Sequence, residues 1–235
     1  RRLEQALPNL AAWAAHFERA EIPVLGDTTA AIEPMRLNED AVDAHLISEQ
    51  VDADPLLTVK LLAHVATLHS TRRTTDTETT TEALVLLGIS PFFRAFGPQP
   101  TVEDGLCDMP EALEGLRGLI RQAHRAADLA QGFAVQRQDP DVAVIREAAL
   151  LHDFAHMLLW CHAPRLALQL SHSELDDPVA AQRQVLGIDL AALQQALVRA
   201  WHLPELLLQL ADERHAASSQ VRNVTLAVRL ARHPL

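Results

Sequence analysis

His152 and Asp153 stand side by side in the apolar run Ala149-Leu150-Leu151-His152-Asp153-Phe154-Ala155-His156. A buried His or Asp must find hydrogen-bond partners or bind a metal, because an unpaired polar group or charge in a core is expensive. The doublet offers one nitrogen and one oxygen, a compact pair of metal ligands. Residues four apart on a helix share a face, and His124/Asp128 and His152/His156 both have that spacing. If the helix carrying His124 faced the helix carrying the doublet, three or four ligands would converge, as metal-dependent phosphoester hydrolysis requires. The competing reading is that each ring is half-buried and satisfied by a backbone carbonyl, which is the commoner outcome for a single His.

The elements that must position these residues are well punctuated. Asp54-Pro55, Ser90-Pro91, Asp139-Pro140 and Asp177-Pro178 each set an N-cap type before a Pro suited to a first helical turn. Asp189 and Ser219 read as further N-caps, and Gly88 and Gly187 follow Leu-rich segments as C-terminal glycines do. The pattern predicts helices near 3–20, 40–52, 55–68, 78–87, 91–96, 110–136, 140–161, 163–172, 178–186, 190–201, 204–215 and 219–232. No alternating apolar run is bounded by hairpin turns, and no internal repeat points to a solenoid. The expected fold is therefore all-α, a compact multi-helix bundle. Residues 97–109, with two Pro and two Gly, suggest a junction between helical halves at about 1–97 and 110–235 of one unit spanning 1–235. A second loop, rich in Thr and charge, is expected at 69–81.

Composition excludes several classes of protein. The 235 residues are 49% hydrophobic, with no Tyr and only 8 Gly, which favours helices around a sizeable core. A net charge of −11 argues against nucleic acid as a partner. Arg72-Arg73 is the one Arg pair besides Arg1-Arg2, and its Thr-rich surroundings suggest a solvated loop. Charges interrupt every Leu-rich run, so no membrane span is expected. No secretory signal opens the chain, although it starts without Met, which leaves room for upstream sequence. Cys107 and Cys161 are far apart and suit a reduced, cytoplasmic protein. Cys161, at a helix end before Pro164, reads as ordinary packing, as do Trp13, Trp160 and Trp201. Leu203–Leu210 suits either core or a contact surface.

Several segments, taken in order, resemble one family. Ile22-Pro23-Val24-Leu25, Asp54-Pro55-Leu56-Leu57 with Leu61-Leu62, Ala83–Leu87 before Gly88, Ala149–Asp153, Trp201-His202-Leu203-Pro204 and then His215 follow the order and spacing of the HDOD (HD-related output domain) family. That family lies within the HD superfamily of metal-dependent phosphohydrolases. The resemblance implies an HD-type helical fold and a pocket drawn from His124, His152, Asp153, His156 and His215.

The departures from the family pattern point away from catalysis. HD enzymes use a His, the His-Asp doublet and a distant Asp. His124 matches the first and His152-Asp153 the second, but Val228 stands where the distant Asp aligns. Residues 219–232 contain no acid at all, so a shift in register does not restore it. Leu190 fills the place of a His that family members often carry after the Gly matching Gly187, and His156 stands where phosphohydrolases of the HD-GYP type carry Lys. The resemblance thus implies a non-catalytic bacterial signalling module with no catalytic residues, no resident cofactor and no designed metal centre. At most it would hold a single Zn²⁺ or Ni²⁺ weakly through its imidazoles. Its partners would be a protein or a nucleotide ligand, and a homodimer is compatible with it. The alternative is a metal-dependent phosphohydrolase acting on a nucleotide or cyclic dinucleotide, with Asp212, Glu213 or His215 completing the site. Sequence does not separate a purely structural helical adaptor from the signalling module.

Overall fold

The computed structural model describes residues 2–69 and 77–233. Its helices are α1 (Leu10–Arg19), α2 (Gly26–Leu37), α3 (Ala44–Asp52), α4 (Pro55–His69), α5 (Thr80–Leu87), α6 (Ile89–Ala95), α7 (Val102–Gly105), α8 (Pro110–Gln136), α9 (Val142–Leu151), α10 (Phe154–His162), α11 (Pro164–Ser171), α12 (Pro178–Leu186), α13 (Leu190–Ala200), α14 (Glu205–Gln209) and α15 (Ser219–Arg232), with 3₁₀ turns at Glu39–Ala41 and Glu213–His215. Among the described residues the one β contact is an isolated parallel bridge, Val24 to Thr101. The all-α expectation therefore holds. Arg72-Arg73 and most of the loop expected at 69–81 lie outside the described residues.

The caps work where their carboxylates reach backbone N–H groups. Asp177 accepts from Val179 N at 3.0 Å and starts α12, which Gly187 ends in the left-handed region at φ +72°. Asp54 does more than cap α4. Its two oxygens accept from Leu56 N, Leu57 N and Leu25 N at 3.0, 3.2 and 2.8 Å, which ties the entry of α2 to the start of α4. The carboxyl is fully buried, and burial pushes its pKa up against the pull of those hydrogen bonds.

Several expected boundaries are corrected. Ser90 is not a cap: α6 starts at Ile89, after Gly88 at φ +89°, and the Ser90 hydroxyl donates to Glu39 at 2.6 Å instead. Asp139 makes a turn by accepting from Asp141 N at 2.9 Å, and α9 begins only at Val142. Ser218, not Ser219, is the N-cap residue of α15, and Asp189 precedes α13 with its carboxylate turned to Arg183. Residues 3–9 are not helical, the helix expected from 40 begins at Ala44, and 204–215 divides into α14 and a 3₁₀ turn. α2 was not expected; it carries Pro34 inside it and has no polar cap.

The 97–109 stretch is no free linker. Val24 N donates to Pro100 O and Val102 N to Val24 O, both at 2.9 Å, and α7 follows at once. Arg2 reaches this segment too, donating to Asp108 at 3.0 Å. One buried apolar cluster runs from Trp13 to Ala231, with α1 packed on α13 and α4 on α9 and α10. At its centre α8 lies against α9, α10, α11 and α15. Gly115 of α8 allows this close approach: a Cβ there would sit 2.5 Å from the Trp160 ring.

An acidic pair, buried Glu147 and half-buried Asp52, lies where α3, α5 and α9 meet. The Thr80 hydroxyl is 2.7 Å from Asp52 Oδ1 and also contacts Glu147 Oε1, and Thr80 N donates to the same Glu147 oxygen at 3.2 Å. One hydroxyl has one proton to give, so one of the two carboxyls must itself be protonated and donate. Burial raises the pKa of both, and the Asp52 charge raises that of Glu147 further. A carboxyl with a raised folded-state pKa stabilises the fold fully below its unfolded pKa, and that contribution is lost as pH rises through the folded value. Stability should therefore fall from about pH 4.5 upward with a slope of as much as about 1.4 kcal/mol per pH unit from this one proton. Glu147→Gln, which keeps a donor but does not titrate, should flatten that limb in denaturant melts taken across pH. An unchanged slope would show that the proton is held elsewhere.

Candidate functional site

The doublet does not lie within a continuous helix. The helix expected over 140–161 is two helices: His152 is the C-cap residue of α9 and Asp153 the N-cap residue of α10. A break inside a core exposes backbone groups that need partners. Gln194 of α13 supplies them. Its amide nitrogen donates to Leu151 O at 3.0 Å and His152 O at 2.7 Å, and its oxygen accepts from Ala155 N at 2.9 Å. One buried side chain thus holds the end of α9 against the start of α10. Gln194 went unrecognised in the sequence, although a Gln on the buried face of a Leu-Ala helix was the available signal.

Each ring nitrogen at the site can be assigned from its partner. His152 Nδ1 lies 2.7 Å from Ala149 O, so Nδ1 carries the proton and Nε2 the free lone pair. Burial lowers the His152 pKa, which keeps the ring neutral. Burial alone would raise the pKa of Asp153, but the neighbouring His156, with a smaller contribution from Arg232, brings it below the usual carboxylate value. His156 Nδ1 sits 3.6 Å from Asp153 Oδ2, and each side chain is about a quarter exposed, at 26% and 25%. The His156 ring also stacks on Trp160 with centroids 6.2 Å apart. The Asp153 carboxylate thus already has a neighbour on its own helix, His156. Arg232, which sequence reasoning passed over, belongs to α15, one turn beyond Val228.

The remaining candidates go elsewhere. His124 Nε2 lies 3.0 Å from Ala53 O, at the end of α3. Asp128 accepts from Arg146 at 2.7 Å. His215 Nδ1 is 3.2 Å from Asp212 Oδ2, and Asp212 also takes the Arg214 guanidinium at 2.9 Å. Its pKa falls to about 2 under hydrogen bonds from Arg214. Among the described residues no three His, Cys, Asp or Glu side chains converge where they could hold a metal ion. The convergence of His124 with the doublet is therefore corrected: the α3 carbonyl that captures the His124 ring draws it away. Cys161 lies in α10 against the core, and burial pushes its thiol pKa up, which leaves it unreactive. Among the described residues no helix is long and apolar enough to cross a membrane.

An HD-type helical fold with a doublet at a helix junction defines the class. The HDOD domain model matches residues 22–217, and the chain belongs to that family. The crystal structure of the MmoQ response regulator from Methylococcus capsulatus is similar, with a TM-score of 0.72 and 20% identity over 91% of this chain and 87% of its own. A virulence factor from Campylobacter jejuni is similar with a TM-score of 0.67 and 17% identity, over 95% of this chain and 80% of its own. At those identities the likeness speaks for the fold alone. No curated protein matches the chain. Because Gln194 answers three buried backbone groups, Gln194→Leu should cost about 2–4 kcal/mol in denaturant unfolding. A loss under about 0.5 kcal/mol would mean that the junction holds without it.

Proposed function

We propose that the protein is a non-catalytic signalling module, built on an HD scaffold whose metal site has decayed, and that it acts by binding a protein or ligand. The observation that carries this reading is geometric: among the described residues no three His, Cys, Asp or Glu side chains converge where they could hold a metal ion. In a two-metal phosphohydrolase a carboxylate at the place of Asp153 answers the charge of the ions. Here the neighbour of that carboxylate is the His156 ring, 3.6 Å away. The donor set does not fit a two-metal centre. His152 offers one free nitrogen, His124 is turned to Ala53 O, and α15 carries no acid, with Val228 at the position where the resemblance places one. A scaffold that keeps its shape while losing its ligands suits recognition, and membership of an output-domain family fits that role.

The test is direct. The full chain, purified without a His tag and supplied with Mn²⁺, Fe²⁺ or Mg²⁺, should show no turnover of generic phosphodiesters or cyclic dinucleotides. Turnover that disappears in His152→Ala and Asp153→Ala would overturn the reading. The paired variant Val228→Asp/Arg232→Ala should gain divalent-metal affinity by at least about tenfold in calorimetry if the site decayed at these two positions. No gain would place the loss elsewhere.

A further inference from the structure

A groove of about 480 Å³ opens between the end of α8, residues 210–216 and α15. Its apolar lining is Leu210, Val221 and Leu226, and three guanidiniums border it: Arg137, Arg222 and Arg229. None of these three makes an ion pair or side-chain hydrogen bond with a described residue. Arg94, Arg199 and Arg232 share that condition, but these three stand together around one groove. Elsewhere Arg36 is answered by Glu33, Arg121 by Glu114, Arg146 by Asp128 and Arg183 by Asp189. In a chain of net charge −11, which has more acids than bases to spare, three unanswered guanidiniums around one groove form a local field of opposite sign.

The same face carries exposed apolar groups at helical spacing. Leu226 and Leu230 are 43% and 42% exposed, and they alternate along α15 with Arg222 and Arg229. Arg222 and Arg229 are seven residues apart, which is about 10 Å along the helix. The two acids on the lining do not neutralise the groove. Asp212 is taken by Arg214 and His215, and Glu213 stands exposed on the rim. We propose that this face of α15 docks an acidic amphipathic helix of a partner protein. Its apolar residues would seat on Leu226 and Leu230, and its carboxylates, one and two turns apart, would meet Arg222, Arg229 and Arg137. The proposal rests on the reading of the protein as a binding module and gives its partner a chemistry. Three arginines in a strongly acidic chain are too few for a phosphate backbone, and an elongated stripe suits a helix better than a compact anion.

The experiment uses the full chain and two labelled synthetic helices of 18 residues. One has Leu at i and i+4 with Glu on the flanks, and the other replaces each Glu by Lys. In fluorescence anisotropy the acidic helix should bind, and its affinity should fall at least about tenfold when NaCl is raised from 50 to 300 mM. Arg222→Glu/Arg229→Glu should weaken it by at least about tenfold and should bind the Lys helix in its place, a gain that a misfolded variant would not show. Leu226→Ser should weaken the acidic helix several-fold with unchanged circular dichroism. Equal affinity for both peptides, absence of binding to the acidic one, or a double variant with undiminished affinity would overturn the proposal. So would binding to phosphatidylglycerol vesicles in place of the peptide. Phosphodiesterase turnover would sink the broader reading but leave the peptide result standing, so the two failures are distinguishable.

Discussion

A helix that ends inside a protein leaves carbonyls without partners, and the next helix begins with N–H groups in the same condition. In this protein both sets meet between Leu151 and Ala155, and Gln194 satisfies members of each. That contact lets the chain turn at His152-Asp153 without exposing backbone to an apolar core. It fixes where α10 starts, and hence where Trp160 meets Gly115 and where His156 meets Asp153. The doublet is thus a structural joint before it is anything chemical. Any ligand role must be played by atoms the joint leaves free, chiefly His152 Nε2 and what remains of the Asp153 carboxylate.

The same logic governs the other buried polar groups. Asp54 ties α2 to α4 through three backbone N–H groups, and Asp52 with Glu147 ties α3 to α9 through Thr80. Each carboxyl is expensive to bury and is kept because breaking its network would leave uncompensated charge behind. They sit at junctions where short helices would otherwise have little to specify their mutual angle. The His124 ring joins this set through Ala53 O, which is why it serves the N-terminal helices rather than the doublet.

Legibility followed from how local the cause was. α8 and α12 were readable to the residue because Pro at the first turn, and for α12 an Asp cap and a following Gly, act within a few positions. α2 was not, because Gly26 and Pro34 are poor helix formers and its entry depends on Asp54, twenty-nine residues from Leu25. The break after Leu151 was hidden for a similar reason. The apolar pattern continues through it, and the residue that makes it tolerable lies on another helix, forty-three positions on. The family resemblance, read from segments in order along the chain, is borne out by the domain match over residues 22–217. It placed His124 by its spacing on α8, and spacing cannot reveal a competing carbonyl from α3.

Charge shows how the scaffold could change its role without changing its shape. In a metal site the carboxylates are tolerated because the ion balances them. Where α15 has no acid, balance at Asp153 must come from elsewhere, and Arg232 lies near enough for its charge to act there. The helix without an acid is also the one whose outer face is basic, with Arg222 and Arg229 exposed among leucines. Both faces of α15 follow from one compositional fact, the absence of Asp and Glu over residues 219–232. Inward, α15 offers only apolar and amide side chains to the core, Val221, Asn223, Val224, Ala227 and Ala231. Outward, Arg222 and Arg229 have no acid on their own helix to pair with, and that same absence leaves the basic surface that the proposed acidic partner would meet.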